Sequence, residues 1–317
     1  AYKSYLDVTP LPKIGLIIDY EKGKITDVSN ALSTIISSGG NVIFSKGTRS
    51  TNAILKAEEK HIGTSIKLGS LTINLPRLAF ESNKDETYFR ARLALLIKPA
   101  IDSMVLRKKD ISDLTRRGIN PLLSKNTQFM QKNSTSLILN LVGLKEAVFS
   151  ILGHKDDKEG KAILYKVLQT AVDVASKKGN DAGVNVTVAM VDTDGISRFT
   201  TLDSEKYGKN SVQNSTSSGL YSQGYSIDSA KSSDLTAKNE LMVECNTIAN
   251  ILNGGLLLKV NFDKKSKSTE IKEAIEKFCV LTSSFKPTIH VPVCGNCGFK
   301  GEKLLDKCPT CKSQYIL

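Results

Sequence analysis

The sequence predicts an α/β fold in which helices connect parallel strands, followed by a small cysteine-rich module. Short runs rich in β-branched residues alternate with long segments of helical period, which is typical of crossover-connected parallel strands. Two Cys-x-x-Cys pairs stand near the end of the chain. We therefore divide the chain into an α/β portion at residues 1–287 and a four-cysteine module at residues 288–317.

The predicted strands and helices alternate along most of the chain. Strands are predicted at Ile14 to Ile18, Asn41 to Ser45, Ser70 to Leu75, Ser136 to Leu141, Val184 to Val191, Leu256 to Phe262 and Thr288 to Val293. Helices are predicted at Thr26 to Ser37, Asp85 to Arg107, Gly143 to Leu152, Lys158 to Lys178, Asp234 to Leu252 and Thr269 to Leu281. Two stretches, Gly39 to Leu68 and Ser211 to Ser233, break this rhythm and are predicted as a strand with a long loop and as a loop.

The composition narrows the class of protein. The 317 residues are 40% hydrophobic and 24% charged, as in soluble globular proteins. No apolar run reaches the roughly 18 to 20 residues that span a bilayer, and the first residues lack the apolar stretch of a signal peptide. We therefore expect a cytoplasmic protein.

The 44 Lys and Arg against 32 Asp and Glu leave a net charge of +12, which indicates either a polyanionic partner or a solvated basic surface.

The strongest chemical signal is the spacing of the last four cysteines. They are Cys294, Cys297, Cys308 and Cys311, and each Cys-x-x-Cys pair can bind one side of a tetrahedral ion. We predict Zn²⁺, with an iron cluster as the alternative. Four thiolates fill the coordination shell, so the predicted role of the zinc is structural.

The other candidate ligands fit a structural interpretation. His290 stands just before the first ligand and is expected to be packed or exposed at the end of a strand. Cys245 and Cys279 fall on the apolar stripes of predicted helices, so we expect both in the core.

Five segments, in order from Leu71 to Gly298, resemble the C-terminal half of the class III, or anaerobic, ribonucleotide reductases. They are Leu71-Thr-Ile-Asn-Leu-Pro-Arg, Leu141-Val-Gly-Leu-Lys-Glu-Ala-Val, Arg198-Phe with Asp203 and Tyr207-Gly, Asn253-Gly-Gly, and His290-Val-Pro-Val-Cys-Gly-Asn-Cys-Gly. The resemblance implies a half or remodelled ten-stranded α/β barrel of the glycyl-radical reductase type, with a C-terminal zinc ribbon.

The resemblance also sets expectations about activity. In that family a glycyl radical near the C-terminus generates a thiyl radical on a loop cysteine that shortly precedes the Asn-Leu-Pro-Arg strand. Here residues 37–60 contain no cysteine, the first cysteine is Cys245, and no glycine follows Cys311. The segments that resemble the family cover only its C-terminal half. We therefore expect a non-catalytic relative that does not reduce ribonucleotides alone.

Charge then suggests a function for such a scaffold. We predict binding to RNA or to a ribonucleoprotein such as a ribosomal subunit, through phosphate contacts. The candidate residues form basic clusters and are Arg107, Lys108, Lys109, Arg116, Arg117, Lys264, Lys265, Lys300 and Lys303. The alternatives are a nucleotide-binding accessory or regulatory subunit and one part of a split anaerobic ribonucleoside-triphosphate reductase. A homodimer or a complex with a partner reductase subunit is also consistent with the sequence.

Overall fold

The structure is a computed structural model that describes residues 1–8, 14–20, 25–45, 66–119, 135–153, 158–193, 195–215, 219–228, 235–263, 266–282, 284–289, 291–300 and 306–315. The helices are α1 (Tyr2–Val8), α2 (Thr26–Ser37), α3 (Leu75–Glu81), α4 (Glu86–Arg116), α5 (Leu144–Leu152), α6 (Lys158–Asp181), α7 (Ile196–Tyr207), α8 (Lys209–Ser215), α9 (Leu235–Ile251) and α10 (Ser268–Leu281). The strands are β1 (Leu16–Asp19), β2 (Val42–Ser45), β3 (Ile66–Asn74), β4 (Thr135–Val142), β5 (Asn185–Met190), β6 (Tyr225–Asp228), β7 (Gly255–Leu256), β8 (Leu258–Phe262) and β9 (Ser284–Ile289). The predicted α/β class is confirmed.

One compact unit comprises residues 1–50, 226–244 and 258–317, and it contains a five-stranded sheet with the order β1-β2-β9-β8-β6. Strands β1 and β2 are parallel, as are β8 and β9, whereas β2 and β9 pair antiparallel. The buried rings of Phe44 and Phe285 stack at this antiparallel junction with centroids 4.8 Å apart. Helices α2 and α10 pack together, and Ser29 Oγ of α2 donates a hydrogen bond to Glu276 of α10 at 2.8 Å.

The other unit comprises residues 51–225 and 245–257, and its sheet has the order β3-β4-β5-β7 with every pair parallel. All of β4 is buried, as expected for a strand with neighbours on both sides and helices above it. Helices α4 and α6 pack side by side, where Lys178 and Asp102 form an ion pair of 2.7 Å. Parallel strands bring their carboxyl ends to one edge, and this edge carries the polar cluster described below.

Several predicted boundaries need correction. The predicted helix Thr26 to Ser37 has the observed bounds. The helix predicted to end at Arg107 continues to Arg116, and Thr115 in its last turn is still buried. The strand predicted at Thr288 to Val293 lies earlier, at Ser284–Ile289. The observed strand contains Pro287, although proline cannot donate to the ladder.

The two predicted loops also differ from the structure. Ser211 to Ser233 contains the end of α8 and the strand β6, so that prediction is wrong in part. Within Gly39 to Leu68 the structure has β2 and the start of β3, and residues 46–65 lie outside the described residues. Helices α1, α3 and α7 were not predicted. None of the described helices is both long and apolar enough to cross a membrane.

Candidate functional site

The four C-terminal cysteines converge on one point. Their sulfur atoms all lie within 4.8 Å of one another. Cys294 Sγ is 3.6 Å from Cys311 Sγ, and Cys297 Sγ is 3.5 Å from Cys308 Sγ. Zinc–sulfur bonds of about 2.3 Å in a tetrahedron require sulfur atoms about 3.8 Å apart. The observed spacing therefore fits a single tetrahedral ion.

The two Cys-x-x-Cys turns repeat the same backbone geometry. Gly298 N–H donates to the Cys294 carbonyl at 2.9 Å, and Lys312 N–H donates to the Cys308 carbonyl at 2.9 Å. Gly298 and Lys312 are both left-handed, with φ of 76° and 60°. Each turn thus curls back under its own pair of thiols, and the sequence achieves this once with glycine and once with lysine.

The surroundings of the thiols favour the thiolate form at Cys311 and at Cys308, where backbone hydrogen bonds lower the pKa although burial opposes them. Hydrogen bonds from the Ser313 backbone N–H and from the Asn296 side chain lower the pKa of Cys311 to about 6. Metals bind the thiolate rather than the thiol. The donor set and its spacing together fit a closed four-thiolate site with no position left for a substrate.

The remaining cysteines do not join this cluster. Cys245 and Cys279 are 2% and 5% exposed, as the helical stripes predicted. Burial, followed by the nearby Glu276 carboxylate, raises the pKa of Cys279 to about 12, which keeps its thiol protonated and unreactive. His290 lies outside the described residues.

A second cluster of polar groups lies at the carboxyl edge of β3, β4 and β5. Its centre is Asp203 on α7, whose side chain is fully buried. Arg77 Nε and Nη2 donate to Asp203 Oδ1 at 2.6 and 2.5 Å, and Asn74 Nδ2 donates to Oδ2 at 2.7 Å. Tyr221 Oη donates to Oδ2 at 2.9 Å, and burial followed by this bond raises the pKa of Tyr221. The carboxylate is therefore satisfied entirely by protein donors.

Asn74 couples this cluster to the backbone. It is the last residue of β3 and the N-cap of α3, where its Oδ1 accepts from the Arg77 N–H at 3.3 Å. A residue that ends a strand and caps the following helix has a fixed position. Asn74 and Arg77 are therefore held at the edge of the sheet by the same turn.

The segment Tyr221 to Gln223 crosses the same edge and is anchored at each residue. Besides the bond from Tyr221, Ser222 N–H and Oγ donate to Glu146 at 3.0 and 2.6 Å. Gln223 Oε1 accepts from Thr193 N–H at 2.6 Å. Burial raises the pKa of Glu146, although the Ser222 hydrogen bonds oppose this. These contacts join α5, α7 and the residues after β5 through one short segment.

Part of this cluster lies in the sequence motifs quoted above. Asn74, Arg77 and Asp203 stand in the quoted motifs, and the structure brings them into contact. Tyr221 and Ser222 were missed because they belong to a stretch rich in Ser and Gly that has no periodicity. Glu146 also stands in a quoted motif, whereas Gln223 is marked only by the glycine that follows it, which is a weak signal without the fold.

The predicted nucleic-acid residues are only partly brought together. The observed length of α4 places both basic clusters on one helix, where Arg107, Lys109 and Arg117 are exposed. Lys108 Nζ donates to Thr135 at 2.9 Å, Arg116 pairs with Asp113 at 2.8 Å, and Lys300 Nζ donates to the Leu6 carbonyl at 2.9 Å. Lys264, Lys265 and Lys303 lie outside the described residues.

Comparison with known proteins agrees with the motifs. Residues 20–316 match the family described as anaerobic ribonucleoside-triphosphate reductase. The anaerobic ribonucleoside-triphosphate reductase of Haemophilus influenzae is 22% identical over 269 residues, which are 78% of this chain and 36% of that protein. The present chain thus spans well under half of the length of this relative.

Solved structures share the fold. The anaerobic ribonucleotide reductase of Thermotoga maritima, in complex with dATP and CTP, aligns with a TM-score of 0.67 and 17% identity over 100% of this chain and 53% of that one. The glycerol-bound B12-independent glycerol dehydratase of Clostridium butyricum aligns with a TM-score of 0.60 and 11% identity over 89% of this chain and 47% of that one. Because the family match extends over residues 20–316, the resemblance is confirmed and the chain belongs to the anaerobic ribonucleoside-triphosphate reductase family.

Proposed function

We propose that this chain is the ribonucleotide-binding part of an anaerobic reductase assembly, and that it binds the nucleotide at the carboxyl edge of β3, β4 and β5. The observation that carries the proposal is the Asp203 cluster, because ligands of α/β proteins bind outside the carboxyl ends of parallel strands. The related Thermotoga maritima protein was solved with dATP and CTP, which supports the same class of ligand.

Arg77 is the residue that we assign to the nucleotide. Its side chain is 34% exposed although the Asp203 side chain is fully buried, so the guanidinium reaches solvent from an anchored position. Asp203 engages Nε and Nη2 of a group that has five N–H donors. A fixed guanidinium with donors to spare is suited to a phosphate or a ribose hydroxyl.

Reduction would require a thiol from outside residues 1–317. The six cysteines of the chain are the converging four and the buried pair Cys245 and Cys279. None of the residues that make up the carboxyl-edge cluster is a cysteine. In this proposal the chain acts as one part of a split reductase or as its accessory subunit, and it forms no deoxynucleotide by itself.

Zinc at the four cysteines completes the proposal. Bound there, Zn²⁺ would supply a structural cross-link, and Cys294, Cys297, Cys308 and Cys311 would hold it. Metal binding and folding share one free energy in such small sites. We expect one zinc per chain by elemental analysis, whereas iron with a thiolate charge-transfer spectrum would contradict zinc.

Equilibrium dialysis of the 317-residue chain with ATP and CTP tests the nucleotide site. We expect saturable binding that Arg77→Lys weakens at least about tenfold, because lysine keeps the charge but loses the planar donor pair. Arg116→Lys is the matched control, since Arg116 forms an exposed ion pair with Asp113 on α4. Binding that is absent, or equal in both variants, would refute the assignment.

A second candidate function is binding to RNA or a ribonucleoprotein, and the net charge of +12 favours it. Its best described candidates are the exposed residues Arg107 and Lys109 on α4 and Arg117 at the C-cap of that helix. Phosphate contacts release counterions, so each one lost should reduce the slope of log K against log salt by about 0.7 to 0.9. Sedimentation of lysate on sucrose gradients at low and high salt is the test, and a protein that stays free of RNA at low salt would exclude this function.

A further inference from the structure

Lys145 places a positive charge at the carboxyl edge of the parallel sheet. It lies in the first turn of α5, two residues after the left-handed Gly143 that ends the turn from β4. The next residue, Glu146, accepts hydrogen bonds from the backbone N–H and the hydroxyl of Ser222. Lys145 therefore adjoins the segment that crosses this edge, and it is half-buried there.

The ammonium of Lys145 lies over an aromatic ring. Its Nζ is 3.9 Å from the centroid of the Tyr225 ring, which is within the range of a cation–π contact. Tyr225 is the first residue of β6 and is only 2% exposed, so packing fixes the position of its ring. The ring carries no net charge. The contact therefore holds the ammonium in place without neutralising it.

The fold itself does little to balance this charge. Among the described residues, no ion pair joins the Lys145 ammonium to a carboxylate. The adjacent Glu146 attracts it only from beyond ion-pair distance, since both of its carboxylate oxygens accept from Ser222. A positive charge in the first turn of a helix is also unfavourable, because the helix dipole is positive at that end. Lys145 thus contributes little to the stability of α5.

Lys206 provides a contrast within the same unit. Its Nζ also lies over a tyrosine ring, at 4.9 Å from the centroid of Tyr207, but it pairs with Glu81 at 3.1 Å. Lys206 is in the last turn of α7, where the helix dipole favours a positive charge. Lys145 has the aromatic ring but neither the carboxylate nor the favourable helix end. This difference indicates that the charge of Lys145 serves a ligand rather than the fold.

The turn that leads to Lys145 lies against the turn that carries Arg77. A Cβ on Gly143 would be 2.4 Å from Cγ of Pro76, the residue before Arg77, and helices α3 and α5 pack together. Two cations, one from the start of each helix, therefore belong to the same edge of the sheet. In a nucleotide the negative charges are on the phosphate chain, so the second cation is suited to that part of the ligand.

We propose that Lys145 binds the phosphate chain of the nucleotide, and that the site thereby distinguishes nucleotides by their number of phosphates. This inference rests on the nucleotide site proposed above. Arg77 is anchored to Asp203, whereas the flexible four-carbon stem of Lys145 lets its ammonium move from the ring to a phosphate oxygen. Each further phosphate adds negative charge near this cation, so affinity should increase from the monophosphate to the triphosphate.

Equilibrium dialysis of the 317-residue chain with adenosine, AMP, ADP and ATP tests the assignment. Lys145→Gln should weaken ATP binding at least about tenfold, because a charge-assisted contact to phosphate is lost. The same variant should change adenosine binding less than about twofold, since adenosine has no phosphate to lose a partner. Lys145→Arg keeps the positive charge and should retain most of the affinity for ATP.

Lys206→Gln is the matched control, because it removes a lysine that also lies over a tyrosine ring but is paired with Glu81. It should leave ATP binding within about twofold of wild type. Thermal unfolding should show no loss of stability in Lys145→Gln, which a purely structural role of this lysine would produce.

The outcomes separate this inference from the proposed function. ATP binding that depends on Arg77 but is weakened equally by Lys145→Gln and Lys206→Gln would overturn the role of Lys145 alone. A Lys145→Gln variant that loses as much affinity for adenosine as for ATP would also overturn it. A chain that binds none of these ligands would refute the nucleotide site and this inference together.

Discussion

Arg77 and Asp203 lie 126 residues apart in the chain and form a two-point ion pair, with Nε and Nη2 at 2.6 and 2.5 Å from Oδ1. The two partners differ in their access to water, because the Asp203 side chain is fully buried and that of Arg77 is 34% exposed. Removing the arginine would leave the buried Asp203 charge without its ion-pair partner. Removing the carboxylate charge would instead leave an arginine that can turn to solvent. The pair is therefore asymmetric in its energetics.

We predict that Arg77→Ala lowers the free energy of unfolding by about 3 to 5 kcal/mol, the usual cost of leaving one buried charge unpaired. Asp203→Asn should cost less, about 1 to 3 kcal/mol, since it removes the charge and keeps one acceptor. Urea unfolding curves of both variants measure the difference. Arg116→Ala is the control and should cost under about 1 kcal/mol, because the Arg116 and Asp113 pair is exposed. Equal costs for Arg77→Ala and Arg116→Ala would contradict the asymmetry.

Glu146 should make stability depend on pH. Burial raises its pKa above the ordinary value of 4.5, so the native state holds this proton more tightly than the unfolded state. The stability of wild type relative to Glu146→Gln should therefore fall as pH rises above 4.5 and level off above the native pKa. Urea unfolding between acid and neutral pH measures this difference, and other titrations shared by both proteins cancel.

Glu205→Gln provides the comparison for Glu146→Gln. Glu205 is exposed on α7, so its replacement removes one negative charge without changing a buried group. A pH dependence as large for Glu205→Gln as for Glu146→Gln would mean that net charge, rather than the burial of Glu146, controls the effect.

The sequence could predict elements and motifs but not the contacts between them. The i, i+3, i+4 pattern sufficed for α2 and α6, and the cysteine spacing sufficed for the converging thiols. The hydrogen bond from Tyr221 to Asp203 depends on how separate segments of the chain pack together, which local periodicity does not encode. Helix α7 was missed because its buried residues are few and partly polar, such as Thr200 and Asp203.

Two glycines at the ends of α5 allow backbone strain to be separated from steric overlap. Gly143 and Gly153 are both left-handed, with φ of 71° and 78°. A Cβ on Gly143 would lie 2.4 Å from Cγ of Pro76, whereas a Cβ on Gly153 would have no neighbour within 4 Å. Gly153→Ala should cost about 1 to 2 kcal/mol from strain alone, and Gly143→Ala should cost more. Thermal unfolding measures both, and equal costs would show that Pro76 yields without penalty.

The repeated cysteine turns yield the last prediction. Gly298 and Lys312 occupy equivalent left-handed positions, four residues after Cys294 and Cys308, with φ of 76° and 60°. An L side chain in this conformation costs about 1 to 2 kcal/mol relative to its ordinary conformation, and glycine avoids that cost while losing about 0.5 to 1 kcal/mol of backbone entropy. Lys312→Gly should therefore stabilise the module by up to about 1 kcal/mol, whereas Gly298→Ala should destabilise it.

Competition for zinc with a chromophoric chelator measures both effects, because metal affinity and local folding are linked here. Lys307→Gly, which lies beside Cys308 outside the left-handed position, is the control for loss of a lysine charge. If Lys307→Gly raises zinc affinity as much as Lys312→Gly does, the gain comes from charge and the strain argument is wrong.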